Sequence, residues 1–475
     1  MGEIASSGVP DINTSRRANY ARYVFWIMTI IGMLDYLDRY IFIGAADVIG
    51  KELHFNLSGI GYITSAFLVV LTLSAIPLGA WADRGSRKNI VALCVAIWSA
   101  TTSLTALAIN FGTLFLSRMI LGIGQAGYFP AGTALLSDYY SREKRSRIMS
   151  WWSAGQLFGI LGGYFIGGAV AGLYFGSWRL AFLITGIPGL VLAYLMWRVR
   201  EPRRNEADEE AETSLAEVLK EPEVIEAEER THTFVVPRGV FSQFFALLRV
   251  RTMVVLIVMQ IFAFFVTGVS TTFLPTYMQQ KDTFGLSSGL AGLYSGGIIV
   301  LAGVAGTIVG GYMADYLNRR HRGARVLVCG IGFLIGAPSF ACAVLFHNLA
   351  VFTIFFITSA FLLTIYNGPC TAATQDVAPS MLRASAVAIS LLIAHLFGDA
   401  FAPSIVGVIA TALDPTHGMH FLTDTAGHDL SLALLFTGTP ALLIAGLVGI
   451  FGSRWMAADV TAAANADRLM KEAQA

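Results

Sequence analysis

Apolar residues along this chain gather into twelve runs, each near the 20 or so residues that a bilayer core demands of a helix. They cover residues 21–46, 57–82, 88–109, 112–139, 146–173, 178–198, 252–279, 287–316, 324–346, 349–376, 384–412 and 430–452. Turn and charge signals separate them, among them Asn56-Leu-Ser-Gly59, Asn110-Phe-Gly112, Phe175-Gly-Ser177 and Asp414-Pro415. The pattern predicts an all-α membrane protein of twelve transmembrane helices. Residues 200–240 break it with acidic clusters (Glu-Ala-Asp-Glu-Glu, Glu-Ala-Glu-Glu-Arg) that bury too little surface to fold compactly. We read 200–251 as a cytoplasmic linker between an N-terminal six-helix bundle, residues 1–199, and a C-terminal bundle with its tail, residues 252–475. Within the linker, Phe241-Ser-Gln-Phe-Phe-Ala-Leu-Leu-Arg249 has the pattern of a short amphipathic helix at the membrane surface.

The two predicted bundles repeat each other. Ala82-Asp83-Arg84, within Gly79-Ala-Trp-Ala-Asp-Arg-Gly-Ser-Arg-Lys88, is echoed by Gly310-Gly-Tyr-Met-Ala-Asp-Tyr-Leu-Asn-Arg-Arg320. Asp83 and Asp315 are 232 residues apart, Asp138 and Asp376 are 238 apart, and Leu157-Phe-Gly159 stands 239 before Leu396-Phe-Gly398. A duplication keeps such an offset nearly constant, drifting only with loop length. Lys and Arg fall in alternate loops: Arg84, Arg87 and Lys88; then Arg142, Lys144, Arg145 and Arg147; then the linker; then Arg319, Arg320, Arg322 and Arg325. The positive-inside rule therefore predicts that both termini are cytoplasmic.

Composition agrees with the pattern and removes several function classes. Apolar residues make up 55% of the chain and charged residues 13%, with mean hydropathy +0.64, against about 25% charged in soluble domains. The net charge of +1 says nothing by itself about partners, and the chain carries neither a basic footprint for nucleic acid nor an acidic tail. Cys94, Cys329, Cys342 and Cys370 sit in apolar runs without metal-ligand spacing, and no cofactor or metal is expected. His417, His420 and His428 gather in one external loop, where solvated side chains are the expectation. A phosphate-binding loop is missing, which argues against a primary pump, and so are nucleophile-elbow and metalloprotease motifs, which argues against an enzyme.

Ionisable residues inside spans cost roughly 2.5–3.5 kcal/mol each on insertion scales, so each needs a partner, a wet cavity or a task. Span 1 carries Asp35, Asp38 and Arg39, span 4 carries Arg118, and span 11 carries His395 and Asp399. Spacings of three and four place the span 1 trio on one side of the helix. From the rise of about 1.5 Å per residue, all of these groups fall near the middle or in the outer half of the bilayer, where one cavity can gather them. We expect Asp38, Asp35 and Arg118 to couple protons to transport, because burial and a neighbouring guanidinium oppose each other at a carboxyl group. Arg118 is also the expected anchor of an anionic substrate. Asp83, Arg84, Arg87, Asp138, Asp315 and Asp376 are expected to form a cytoplasmic gate.

These residues resemble the major facilitator superfamily over nearly the whole chain. Gly79-x-x-x-Asp83-Arg84-x-x-Arg87-Lys88 is similar to its signature between helices 2 and 3, and the implied fold is two pseudo-symmetric six-helix bundles around a cavity. Asp35-Tyr-Leu-Asp38-Arg39-Tyr and Arg118-x-x-x-Gly-x-Gly-Gln125-Ala resemble motifs shared by spinster-like lipid transporters and by sugar-acid symporters. Arg145-Ser-Arg-Ile-Met149, Trp178-Arg-Leu-Ala-Phe182 with Arg200-Glu-Pro202, and above all His395-Leu-Phe-Gly-Asp399-Ala-Phe-Ala-Pro403 resemble the spinster group; Phe129-Pro-Ala131 resembles the other. Asp35 stands where the family usually has Asn, and Gln125 where it usually has a proton-linked Glu. Gln does not titrate, so coupling rests on Asp38, with Asp35 as a replacement carboxyl, or the chain is a uniporter or exchanger.

The resemblance implies a transporter working by alternating access in the plasma (inner) membrane, as a monomer, moving an amphiphilic anion such as a lysolipid with protons. Arg118, Gln125, Arg39, His395 and Asp399 are then the substrate-binding residues. The alternatives are a proton symporter of a small organic anion such as a sugar acid, and a non-transporting sensor on the same fold.

Overall fold

The computed structural model describes residues 12–140, 142–203, 207, 247–321, 323–379, 382–414 and 426–472. In the first half, α1 is Ile12–Leu53, α2 Leu57–Arg84, α3 Arg87–Thr105, α4 Phe111–Ala126, α5 Tyr128–Tyr139, α6 Arg142–Ala171 and α7 Trp178–Arg198. In the second half, α8 is Arg251–Gln279, α9 Ser288–Asn318, α10 Ala324–Leu345, α11 Leu349–Thr364, α12 Asn367–Asp376, α13 Arg383–Ala394, α14 Ala402–Leu413 and α15 Ala426–Glu472. A π-helical turn, His395–Asp399, joins α13 to α14. Span 4 is α4 with α5, span 10 is α11 with α12, and span 11 is α13 through α14. Among the described residues, ten helices are long and apolar enough to cross a membrane. The other two predicted spans are α1, interrupted by charge, and α3, rich in Ser and Thr; α1 lies along α6 and α3 along α7.

The sequence signals start the helices where expected. Asn56 caps α2 by accepting from the Gly59 amide at 3.2 Å, and Asn110 forms a capping box with Thr113 at the head of α4. The repeat reappears as structure, since α4 and α11 are both 16 residues long and begin and end 238 residues apart. Each is then broken before a second short helix. Large apolar side chains such as Trp26, Leu104, Phe158, Tyr312 and Phe436 cover the outside, a surface suited to hydrocarbon.

The halves meet along three seams, α2 with α14, α6 with α9 and α1 with α8. All three lie toward the end of the molecule opposite Arg87 and Arg325. Glycine makes two of them possible. A Cβ on Gly61 would stand 2.3 Å from the Pro403 carbonyl oxygen, and one on Gly292 would stand 2.1 Å from that of Tyr164. Polar contacts reinforce the seal: Ser58 Oγ donates to Gly407 O at 3.1 Å and Gln280 Nε2 to Asp47 Oδ1 at 3.3 Å. Toward the Arg-rich end the halves part: α5 and α12 pack against helices of their own halves, and Gly311 on α9 has open space where a Cβ would sit.

Two boundaries differ from the sequence expectation. The first helix begins at Ile12 and runs to Leu53 rather than ending at 46, its end carrying the Asp47–Lys51 pair at 2.8 Å. The last runs to Glu472 rather than 452, because its Ala-rich polar continuation favours helix and contains no Gly or Pro stop after Gly452. Most of the expected interfacial helix 241–249, most of the linker, and His417 and His420 lie outside the described residues.

Candidate functional site

A cavity lies between the halves, and three charged groups named above line it: Arg39 and Arg118 from the first half, Asp399 from the second. The remaining wall is partly apolar, with Phe42, Ile63, Phe67 and Leu121, and partly hydroxyl-bearing, with Thr64, Thr267 and Thr271. Cations therefore occupy one wall and a carboxylate the other.

Helix packing fixes how each cation is held. Arg118 is buried on α4, with its guanidinium 4.7 Å from the Phe182 ring centre and 5.2 Å from that of Phe42. This contact holds charge over two ring faces in a dry setting. Its NH1 donates to the main-chain oxygen of Asp38 at 3.2 Å. The predicted meeting of Asp38 and Arg118 thus occurs through the Asp38 backbone. The Asp38 side chain has no solvent exposure and faces the hydroxyls of Thr102 and Thr185. Arg39 lies 3.7 Å from Asp35 Oδ2 and over the rings of Tyr36 and Phe67 at 4.8 and 5.4 Å. Gln125 closes the set behind the cavity, its Nε2 donating 2.9 Å to the main-chain oxygen of Asp35.

The second half presents its charges on the π-helical turn, a local widening that often marks functional positions. His395 Nδ1 lies 3.0 Å from Asp399 Oδ2, and the imidazole meets the Phe264 ring edge-on at 4.4 Å. Asp399 lines the cavity; His395, its more exposed partner, is not part of that lining. Gly268 of α8 lets the turn approach, since a Cβ there would lie 2.8 Å from that of Asp399.

The expected gate residues form two matching clusters, each inside one half. Arg87 pairs with Asp138, and Arg325 pairs with Asp376 and, at 2.9 Å, with Asp315. Both the Arg87–Asp138 and Arg325–Asp376 pairs are 51 residues apart. Arg84 is exposed, and the Asp83 side chain lies outside the described ones. Sequence reasoning counted Arg325 only as a loop charge, although the 238-residue offset from Arg87 marks it. Glu201 was read only as part of a motif; its carboxylate accepts from the amides of Arg87 at 2.8 Å and Lys88 at 3.0 Å, which caps α3. The cavity threonines carried no signal in the sequence.

Comparison with known proteins agrees with this architecture. Residues 28–403 match the Major Facilitator Superfamily. The protein spinster of Drosophila melanogaster is 26% identical over 86% of this chain, which spans 65% of that protein's length. The sphingosine-1-phosphate transporter SPNS2 of Danio rerio is 24% identical over 88% of this chain and 81% of its own. Among solved structures, a bacterial homologue of the human lysosomal transporter spinster, in an inward-facing and unoccupied conformation, superposes with a TM-score of 0.79. It covers 93% of this chain and 98% of that one at 24% identity. The chain belongs to the major facilitator superfamily and is similar to its spinster proteins.

Proposed function

We propose that this protein is a proton-linked transporter of an amphiphilic anion such as a lysolipid. The supporting observation is the cavity itself, where Arg39 and Arg118 stand beside an apolar wall of Phe42, Ile63, Phe67 and Leu121. An anionic head group suits the guanidiniums and a hydrocarbon tail suits the rest. Around this cavity stand three carboxyl groups, Asp35, Asp38 and Asp399, two guanidiniums and one imidazole. With every carboxyl ionised and His395 neutral, that set is net negative before any anion enters. Binding an anion there favours simultaneous proton uptake, and Asp38, buried away from solvent, is the natural holder. A proton taken up with the anion and released on the other side gives coupling.

In this reading residues 1–199 and 252–475 move against each other about the cavity, joined by the linker 200–251. Both termini face the cytoplasm, so the sealed end is outer and the halves part inward, in a monomer of the plasma (inner) membrane. The Arg87 and Arg325 clusters act as gate elements that meet across the halves when the outer end opens.

The threonines Thr64, Thr267 and Thr271 favour a second reading, a small hydrophilic carboxylate. Uptake into proteoliposomes separates the two. A labelled lysophospholipid should accumulate faster under an imposed proton gradient and be untouched by excess sugar acid. Competition by sugar acids with no lysolipid uptake would select the second reading, and binding without flux would select a sensor.

A further inference from the structure

A second hollow, wide open to its surroundings, lies on the outside of the bundle near the sealed end, away from the charged cavity. Ala66 and Val69 of α2, Phe115 and Met119 of α4, and Phe401 and Ser404 of the second half form its walls. Both halves therefore contribute. The lining is almost wholly apolar, and the helices that carry it cross the membrane, so what borders the hollow is hydrocarbon. Phe111, Phe115 and Met119 follow one face of α4 over eight residues, about 12 Å of helix rise, a length suited to an extended chain rather than a compact solute.

The hollow is shut off from the central cavity. Ile63, Thr64, Phe67 and Leu68 on the opposite side of α2 face that cavity. Between the two, the seam is closed by the Gly61–Pro403 contact and by Ser65 Oγ, which accepts from the Ser404 amide at 3.1 Å. A substrate tail whose head sits at Arg39 and Arg118 has no path through this seam, so an occupant of the hollow enters from the bilayer.

We infer that this hollow holds an acyl chain of a membrane phospholipid lying along the α2–α14 seam. The site exists only while the seam is closed, because its walls belong to both halves and separate when α2 leaves α14. A bound chain then favours the sealed arrangement by its differential affinity for it. Bilayer lipid becomes a ligand of one state, whichever substrate the central cavity takes.

The probe is a phospholipid with a diazirine midway along one acyl chain, photolysed in nanodiscs containing the full chain, with labelled residues located by peptide mass spectrometry. Labelling at Val69, Phe115 and Met119 should exceed that at the bilayer-facing Leu443 and Phe451 by fivefold or more. Ala66→Trp, which fills the hollow, should bring Phe115 and Met119 down to that background and leave Phe451 unchanged. Equal labelling at all five positions in the unsubstituted protein overturns the inference. So does displacement of the label by lysophospholipid at concentrations that saturate uptake, which would make the occupant a substrate tail. An Ala66→Trp protein that fails to elute as a monodisperse peak is replaced by Met119→Trp, read at Val69.

Discussion

Arg118 shows why a buried charge could be found from sequence while its geometry could not. A guanidinium in an apolar span demands explanation on energetic grounds alone, and so did Asp35, Asp38 and Arg39. Which atoms meet depends on helix phase and rotamer, and Arg118 turns out to bond the carbonyl of Asp38 while two phenyl rings cover it. Arg118→Lys keeps the charge but loses the planar stack, worth about 2 kcal/mol when desolvated. Its lysolipid uptake should fall by roughly tenfold or more, measured as initial rate in proteoliposomes at matched protein. Asp38→Asn should retain binding of the lysolipid while abolishing the response of uptake to an imposed pH difference. Neutral residues gave no comparable warning. Thr64, Thr267 and Thr271 line the cavity, yet a threonine in a membrane helix is inexpensive wherever it falls, so nothing in the chain singled them out.

Individual helices were legible at their centres and less so at their ends. Hydrophobic runs place a span because the bilayer sets its length, but α1 and α15 continue beyond the hydrocarbon, where helix propensity and capping decide. Asp459 illustrates this. Its carboxylate accepts from the Thr252 amide at 2.8 Å and its hydroxyl at 2.6 Å, capping α8 from the extension of α15. Asp459→Ala should cost about 1 kcal/mol, seen as a lower thermal midpoint in detergent with uptake at low temperature preserved. Ser65 does a related task across the halves. The π turn and Pro403 leave the Ser404 amide near the head of α14 without a helical acceptor, and Ser65 supplies one. Losing that bond, about 1 kcal/mol, should move the sealed-to-open ratio of Ser65→Ala about fivefold toward opening at that end. Distance distributions between spin labels on α2 and α14 would report it; unchanged distributions would remove Ser65 from the gate.

At the scale of the whole molecule, duplication made the architecture readable. The offset linking Asp138 to Asp376 also links the ends of α4 to those of α11, and it places Arg87 and Arg325 in matching clusters. How the two halves lean on each other was not readable, because that depends on contacts between glycine and backbone at Gly61 and Gly292 that no residue-level pattern announces. In the proposed cycle the halves rock about Arg39, Arg118 and Asp399, with protons moving alongside the anion. Substrate-driven proton movement tests that cycle most directly. Proteoliposomes loaded with a pH-sensitive dye, with no initial pH difference, receive lysophospholipid outside. The account predicts an internal pH change on addition, in step with lysolipid uptake and missing in Asp38→Asn. Lysolipid uptake by the unsubstituted protein with no accompanying pH change would contradict it.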